Sequence, residues 1–166
     1  MNAIYLIGFM GSGKTTVSQE LANKLEVPVY DTDQEIVHKA GKTINEIFAI
    51  DGEEGFRRME TEVLYSMPEA DAVVATGGGI IGAEKNRLFL TEKVNVVFLH
   101  AEISDIMERL KGDDTRPLLR KDKREAAEKL YNSRLPLYRE TATIEVDTSG
   151  KAVSRIVDEI IQRMKK

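Results

Sequence analysis

Gly8, Gly13, Lys14 and Thr15 meet the spacing G-x-x-x-x-G-K-[ST], just behind the apolar run "AIYLI" and just ahead of Val17, Leu21, Ala22 and Leu25 at helical spacing. Glycine lets a backbone turn tightly and approach an oxygen closely, while a helix start adds bare N–H groups and the positive end of the peptide dipole. That combination suits phosphate. Gly11, Ser12, Gly13, Lys14, Thr15 and Thr16 are the residues expected around a nucleotide's phosphates, with the Lys14 ammonium against the β and γ oxygens and the Thr15 hydroxyl on Mg²⁺. The alternative is a glycine-rich turn with an exposed lysine.

A phosphate loop does not name a reaction. A guanine-reading switch would carry N-K-x-D, and the sole N-K here, Asn23-Lys24, lies inside the first helical pattern without the aspartate. Motor and transporter ATPases close a second apolar strand with an acidic residue, whereas "AVVAT" (72–76) runs into three glycines. A small kinase is the reading that remains.

Such an enzyme needs an acceptor site on the same rim. "DTD", Asp31 to Asp33, follows the apolar stretch "VPVYD" and so falls at the carboxyl edge of a sheet, level with the phosphate loop. Asp31, nearer the strand end, is assigned to the Mg²⁺ side and Asp33 to the acceptor hydroxyl, as its partner and candidate base. Helix capping is the competing reading for both. Arg134 falls within the apolar pattern Leu130, Tyr131, Leu135, Tyr138, which points its guanidinium inward, where it needs an anionic partner. A fixed protein carboxylate and a substrate carboxylate gripped bidentately both satisfy that need. Arg57 has Glu60 one turn on as an ion-pair partner, and Arg58 is expected to face solvent. "TGGGII" (76–81) sets consecutive glycines on the same rim, as close backbone approach to a ligand or as a flexible loop.

The elements that must carry these groups are legible from apolar period. Ile4 to Ile7, 27–31, 72–76, 94–99 and 143–146 are short, non-alternating and rich in Val and Ile, as parallel strands covered on both faces should be. Helical patterns run through Ile103, Ile106, Met107 and Leu110, and from Val153 to Met164. Thr43 with Glu46 reads as a capping box, followed by a break near "DGEEG" and a resumed period through Phe56, Met59, Val63, Leu64 and Met67. Pro136 is expected to kink or end the helix carrying Arg134. Strands alternating with helices imply a five-stranded parallel sheet between two helical layers. The stretch 111–125, dense in charges of both signs, is either a solvated surface loop or a mobile lid.

Composition bounds the rest. A chain of 166 residues with 42% hydrophobic and 31% charged content fits a single domain, 1–166. A net charge of −4 argues against a nucleic-acid binder. The absence of cysteine excludes disulfides and thiolate metal sites, two histidines leave no basis for zinc, and no apolar run reaches the ~20 residues of a bilayer span. A cytoplasmic protein acting on small molecules, without membrane or nucleic-acid partners, is expected.

In order and spacing, "IGFMGSGKTT", "DTDQEI", "INEIFAIDGEEGFRRME", "TGGG", "TRPLL" and "SRLPLYRE" together closely resemble the shikimate kinase family, over nearly the whole chain. The resemblance implies a three-layer α/β/α P-loop kinase fold with a mobile lid. It also implies ATP- and Mg²⁺-dependent phosphorylation of the 3-hydroxyl of shikimate, a step toward chorismate and the aromatic amino acids. By position, Asp33 would bind the acceptor hydroxyls, Arg57 and Arg134 the shikimate carboxylate, and Gly78 would offer backbone contacts. Arg116 of "TRPLL" would swing in on the lid toward the transferring phosphoryl. A monomer is expected. Where some relatives set an arginine against adenine, "VDTSGKAV" carries Ser149 and Gly150, so no base contact is assigned there.

Overall fold

Five strands, Ile4–Ile7 (β1), Val29–Asp31 (β2), Val73–Ala75 (β3), Asn95–His100 (β4) and Ile144–Asp147 (β5), pair in the order β2-β3-β1-β4-β5, every pair parallel. The computed structural model describes residues 1–109 and 124–165. Each strand lies within one residue or so of its apolar run, trimmed where the run meets a turn. The lid expected over 111–125 lies, but for its last two residues, outside the described residues, and Arg116 lies there too.

Helices cover both faces of the sheet. Lys14–Leu25 (α1) and Val153–Arg163 (α7) pack on Ile4, Leu6, Val97, Leu99 and Val146. Thr32–Ala40 (α2), Ile44–Tyr65 (α3), Glu84–Thr91 (α4) and Arg124–Thr141 (α6) supply the layer against Tyr5, Ile7, Val74, Val96 and Phe98. Successive residues of β1 therefore feed opposite cores, which is why the strand reads as an unbroken apolar run. A short helix, Ile103–Arg109 (α5), follows β4.

Two local features matter for the site. The capping box at Thr43 and Glu46 is formed in full, and α3 breaks at Gly52 (φ 73°, ψ 176°), within the "DGEEG" stretch. Of the two outcomes expected at Pro136, a kink or an end, the end does not occur: Pro136 sits inside α6, which continues to Thr141. Proline removes one N–H bond from the ladder. Buried Tyr131 and Tyr138 anchor the helix on either side, and this packing outweighs the lost bond. Among the described residues no helix is long and apolar enough to cross a membrane.

Candidate active site

The phosphate loop leaves β1 and enters α1 through Gly13, whose φ of 95° is open to few residues but glycine. Lys14 is 9% exposed and folds back along the loop, its Nζ donating to the carbonyls of Gly8 (2.5 Å) and Phe9 (3.0 Å). Ser12 is buried in the same turn, and its hydroxyl has no hydrogen-bond partner among the described residues. A hollow of about 180 Å³ runs from Gly11, Gly13, Lys14, Thr15 and Thr16 to Asp31, Asp33, Gly77 and Gly78. The loop, "DTD" and the glycine triplet thus share one crevice at the carboxyl edge of the sheet.

Asp31 caps α2 and also reaches the phosphate loop. One oxygen caps α2, accepting from the backbone N–H of Asp33 (3.0 Å) and Gln34 (3.2 Å). The other accepts from the Thr15 hydroxyl at 3.4 Å. Two hard oxygen donors therefore meet at the mouth of the loop, a set that suits Mg²⁺, which takes one or two protein oxygens and completes its shell with water and phosphate. Asp33, inside the first turn of α2, is no cap. Thr32 between them is buried, and its hydroxyl accepts from the Gly77 N–H at 2.9 Å, binding "DTD" to the triplet.

Each glycine of the triplet has its own reason. A β-carbon on Gly77 would lie 2.6 Å from Asp33 Oδ1 and 3.0 Å from Glu60 Oε2, and one on Gly78 would lie 3.0 Å from the Met10 nitrogen. On Gly79 it would collide with the Arg57 guanidinium. The triplet is packed closely against Asp33, Glu60, Met10 and Arg57.

Arg57 donates to Glu60 at 2.9 Å and reaches Glu53 at 3.5 Å, while Arg58 is exposed. Glu60 is 1% exposed, and burial pushes its carboxyl up to about 7 although Arg57 pulls it down. Arg134 is 7% exposed and lies over the Phe9 ring at 5.6 Å. Burial lowers its pKa from the ordinary value; the neighbouring Tyr138 opposes that shift and Arg57 adds to it. Among the described residues no carboxylate stands within ion-pair distance of Arg134, and its buried Nη1 has no hydrogen-bond partner. A fixed carboxylate, Glu60, acts on Arg134 by charge from beyond ion-pair distance, so the guanidinium makes no contact ion pair among the described residues.

Glu60 and Tyr138 were visible in sequence as an ion-pair partner and an apolar-stripe residue, not as members of this cluster. Tyr138 donates its hydroxyl to the Gly78 carbonyl at 2.6 Å. Arg109, at the end of α5, donates to the Gly11 carbonyl at 3.1 Å, and no motif marks it.

A parallel sheet with a phosphate loop after its central strand and an arginine-flanked acidic crevice beside it defines a P-loop kinase for small acceptors. The shikimate kinase family profile matches residues 10–165. The chain is 42% identical to the shikimate kinase of Bacillus cytotoxicus over 164 residues, 99% of each chain. Among solved structures it is similar to a shikimate kinase from Acinetobacter baumannii in complex with shikimate, with a TM-score of 0.93 and 39% identity over 98% of this chain and 92% of that one. It is likewise similar to that of Aquifex aeolicus, with a TM-score of 0.84 and 37% identity over 96% and 94%. The chain belongs to the shikimate kinase family.

Proposed function

We propose that this chain transfers the γ-phosphoryl group of ATP to the 3-hydroxyl of shikimate, giving shikimate 3-phosphate and ADP on the way to chorismate and the aromatic amino acids. The observation that carries the reading is Arg134: a buried guanidinium with an unpartnered Nη1, one crevice away from a phosphate loop, asks for a ligand carboxylate.

The roles follow from charge and reach. Gly11, Ser12, Gly13 and Thr16 wrap the phosphates with backbone N–H groups and hydroxyls. Lys14 exchanges loop carbonyls for the β and γ oxygens. Asp33 accepts from the acceptor hydroxyl and orients its lone pair at the γ-phosphorus; in a loose transition state this positioning counts for more than proton removal. Arg57 and Arg134 hold the shikimate carboxylate, and Gly78 offers its backbone. Arg116, outside the described residues, is assigned to the charge of the transferring phosphoryl. Thr15 and Asp31 would hold Mg²⁺, which when bound draws charge from the β and γ oxygens. All these groups come from one chain, which supports a monomer, and the substrates are small soluble metabolites, which supports a cytoplasmic enzyme acting without nucleic acid or membrane.

Acceptor-dependent ADP release tests the proposal. Shikimate should drive it, and gluconate and nucleosides should not; ADP release with either of those and none with shikimate overturns the acceptor assignment.

A further inference from the structure

Arg134 poses a problem of aim. A guanidinium carries five donors in a rigid plane, and a bidentate grip on a carboxylate requires that plane to be held within a narrow range of angles. Phe9 covers one face of it, but a ring face restrains position more than rotation. No carboxylate among the described residues pins it.

Tyr138 stands one helical turn further along α6, on the same face as Arg134. Its side chain is 1% exposed and stacks on Phe98 of β4, with centroids 5.0 Å apart and planes 15° from parallel, so the ring has one orientation. Its hydroxyl has a single proton, which goes to the Gly78 carbonyl at 2.6 Å. Two lone pairs remain on that oxygen, and the hydroxyl interacts with the Arg134 guanidinium. A hydroxyl that donates is a better acceptor, since chains of hydrogen bonds polarise one another. Gly78 is held from its other side as well, packed against the Met10 backbone.

We propose that Tyr138 is a positioning residue for the acceptor: its hydroxyl, bonded to the Gly78 carbonyl one helical turn from Arg134, holds the carboxylate-gripping guanidinium and the Gly78 peptide in one shared geometry. With its side chain 1% exposed, Tyr138 acts through these two groups rather than on the acceptor itself. The proposal rests on the assignment of Arg134 to the shikimate carboxylate.

The test compares shikimate with its uncharged methyl ester by calorimetric titration, in wild type, Tyr138→Phe, Arg134→Ala and the double variant, with steady-state kinetics alongside. Tyr138→Phe keeps the ring and its stack. It should weaken shikimate about tenfold, leave the ester within about twofold, and leave kcat and the ATP KM within about twofold. Arg134→Ala should cut the preference for shikimate over the ester at least tenfold, leaving what Arg57 supplies, and adding Tyr138→Phe to it should change nothing further. Site-specific 3-fluorotyrosine at 138, which retains ring, stack and hydroxyl but accepts more weakly, should shift the preference in the same direction by a smaller factor, and serves if the Phe variant does not fold. An unchanged preference in the position-138 variants, or equal weakening of both ligands, overturns the positioning role while Arg134 keeps its own. If Arg134→Ala leaves the preference undiminished, the assignment of Arg134 to the carboxylate has failed and this inference with it.

Discussion

Glu60 is a carboxylate placed where water cannot solvate it, and its proton is held more tightly in the folded chain than in the unfolded one. Burial raises it from 4.5 to about 7; Arg57 opposes the rise and Asp33 adds to it. Stability from neutral, buried Glu60 is therefore complete below about pH 4.5 and is lost as the pH climbs through about 7, an amount of roughly 3 kcal/mol. Urea midpoints between pH 5 and 8 should fall for wild type and flatten across that window for Glu60→Gln; parallel slopes would place the titrating group elsewhere. Arg134→Ala belongs to the same scale. It should raise the shikimate KM at least tenfold and the ATP KM by less than about threefold, and equal effects would remove Arg134 from the acceptor site. Charge in an apolar pattern is what exposed Arg134 in the sequence, and two aspartates behind a strand exposed Asp31 and Asp33. The Arg57–Glu60 pair was readable from its spacing, but the links from Glu60 to Asp33 and from Tyr138 to Gly78 were not, because they run between elements distant along the chain.

Elements place these residues, and α3 shows how a local backbone choice governs the result. Its first segment is started by the capping box, its second carries Arg57 and Glu60, and Gly52 is the joint. A φ of 73° with ψ of 176° is a region reserved for glycine. A β-carbon at Gly52 would meet nothing within 4 Å. Gly52→Ala should therefore act through backbone strain alone and cost on the order of 1–3 kcal/mol in denaturant unfolding; a loss below about 0.3 kcal/mol would mean that the joint relaxes. The box and the break were both readable, because Thr-x-x-Glu and an interrupted apolar period are local signals. At Pro136 the sequence left a kink and an end both open, and tertiary packing of Tyr131 and Tyr138 decides for passage. The 3₁₀ turn Ile80–Gly82 and α4 offered too short an apolar period to be read, though buried Asn86 ties them by donating to the Ile80 carbonyl at 2.9 Å.

At the scale of the molecule, the acceptor groups come from α2, α3, the loop after β3 and α6, elements joined through the sheet rather than along the chain. An acid bound among them bridges all four, and a ligand that binds only the folded state stabilises it by RT ln(1 + [L]/Kd), about 2.7 kcal/mol at a hundredfold excess over Kd. For a chain of this length that corresponds to a rise in melting temperature of about 5–10 °C. The net charge of −4 makes the comparison sharper, because a chain repelling anions overall gains from one only where cations are gathered. Shikimate should therefore give the full rise in wild type and, at the same concentration, less than about 2 °C in Arg134→Ala. ATP with Mg²⁺, held at the other end of the crevice, should stabilise both proteins alike. A shikimate shift that survives intact in the variant would mean that the acid is held without the guanidinium, and the crevice would then need a different cation at its acceptor end.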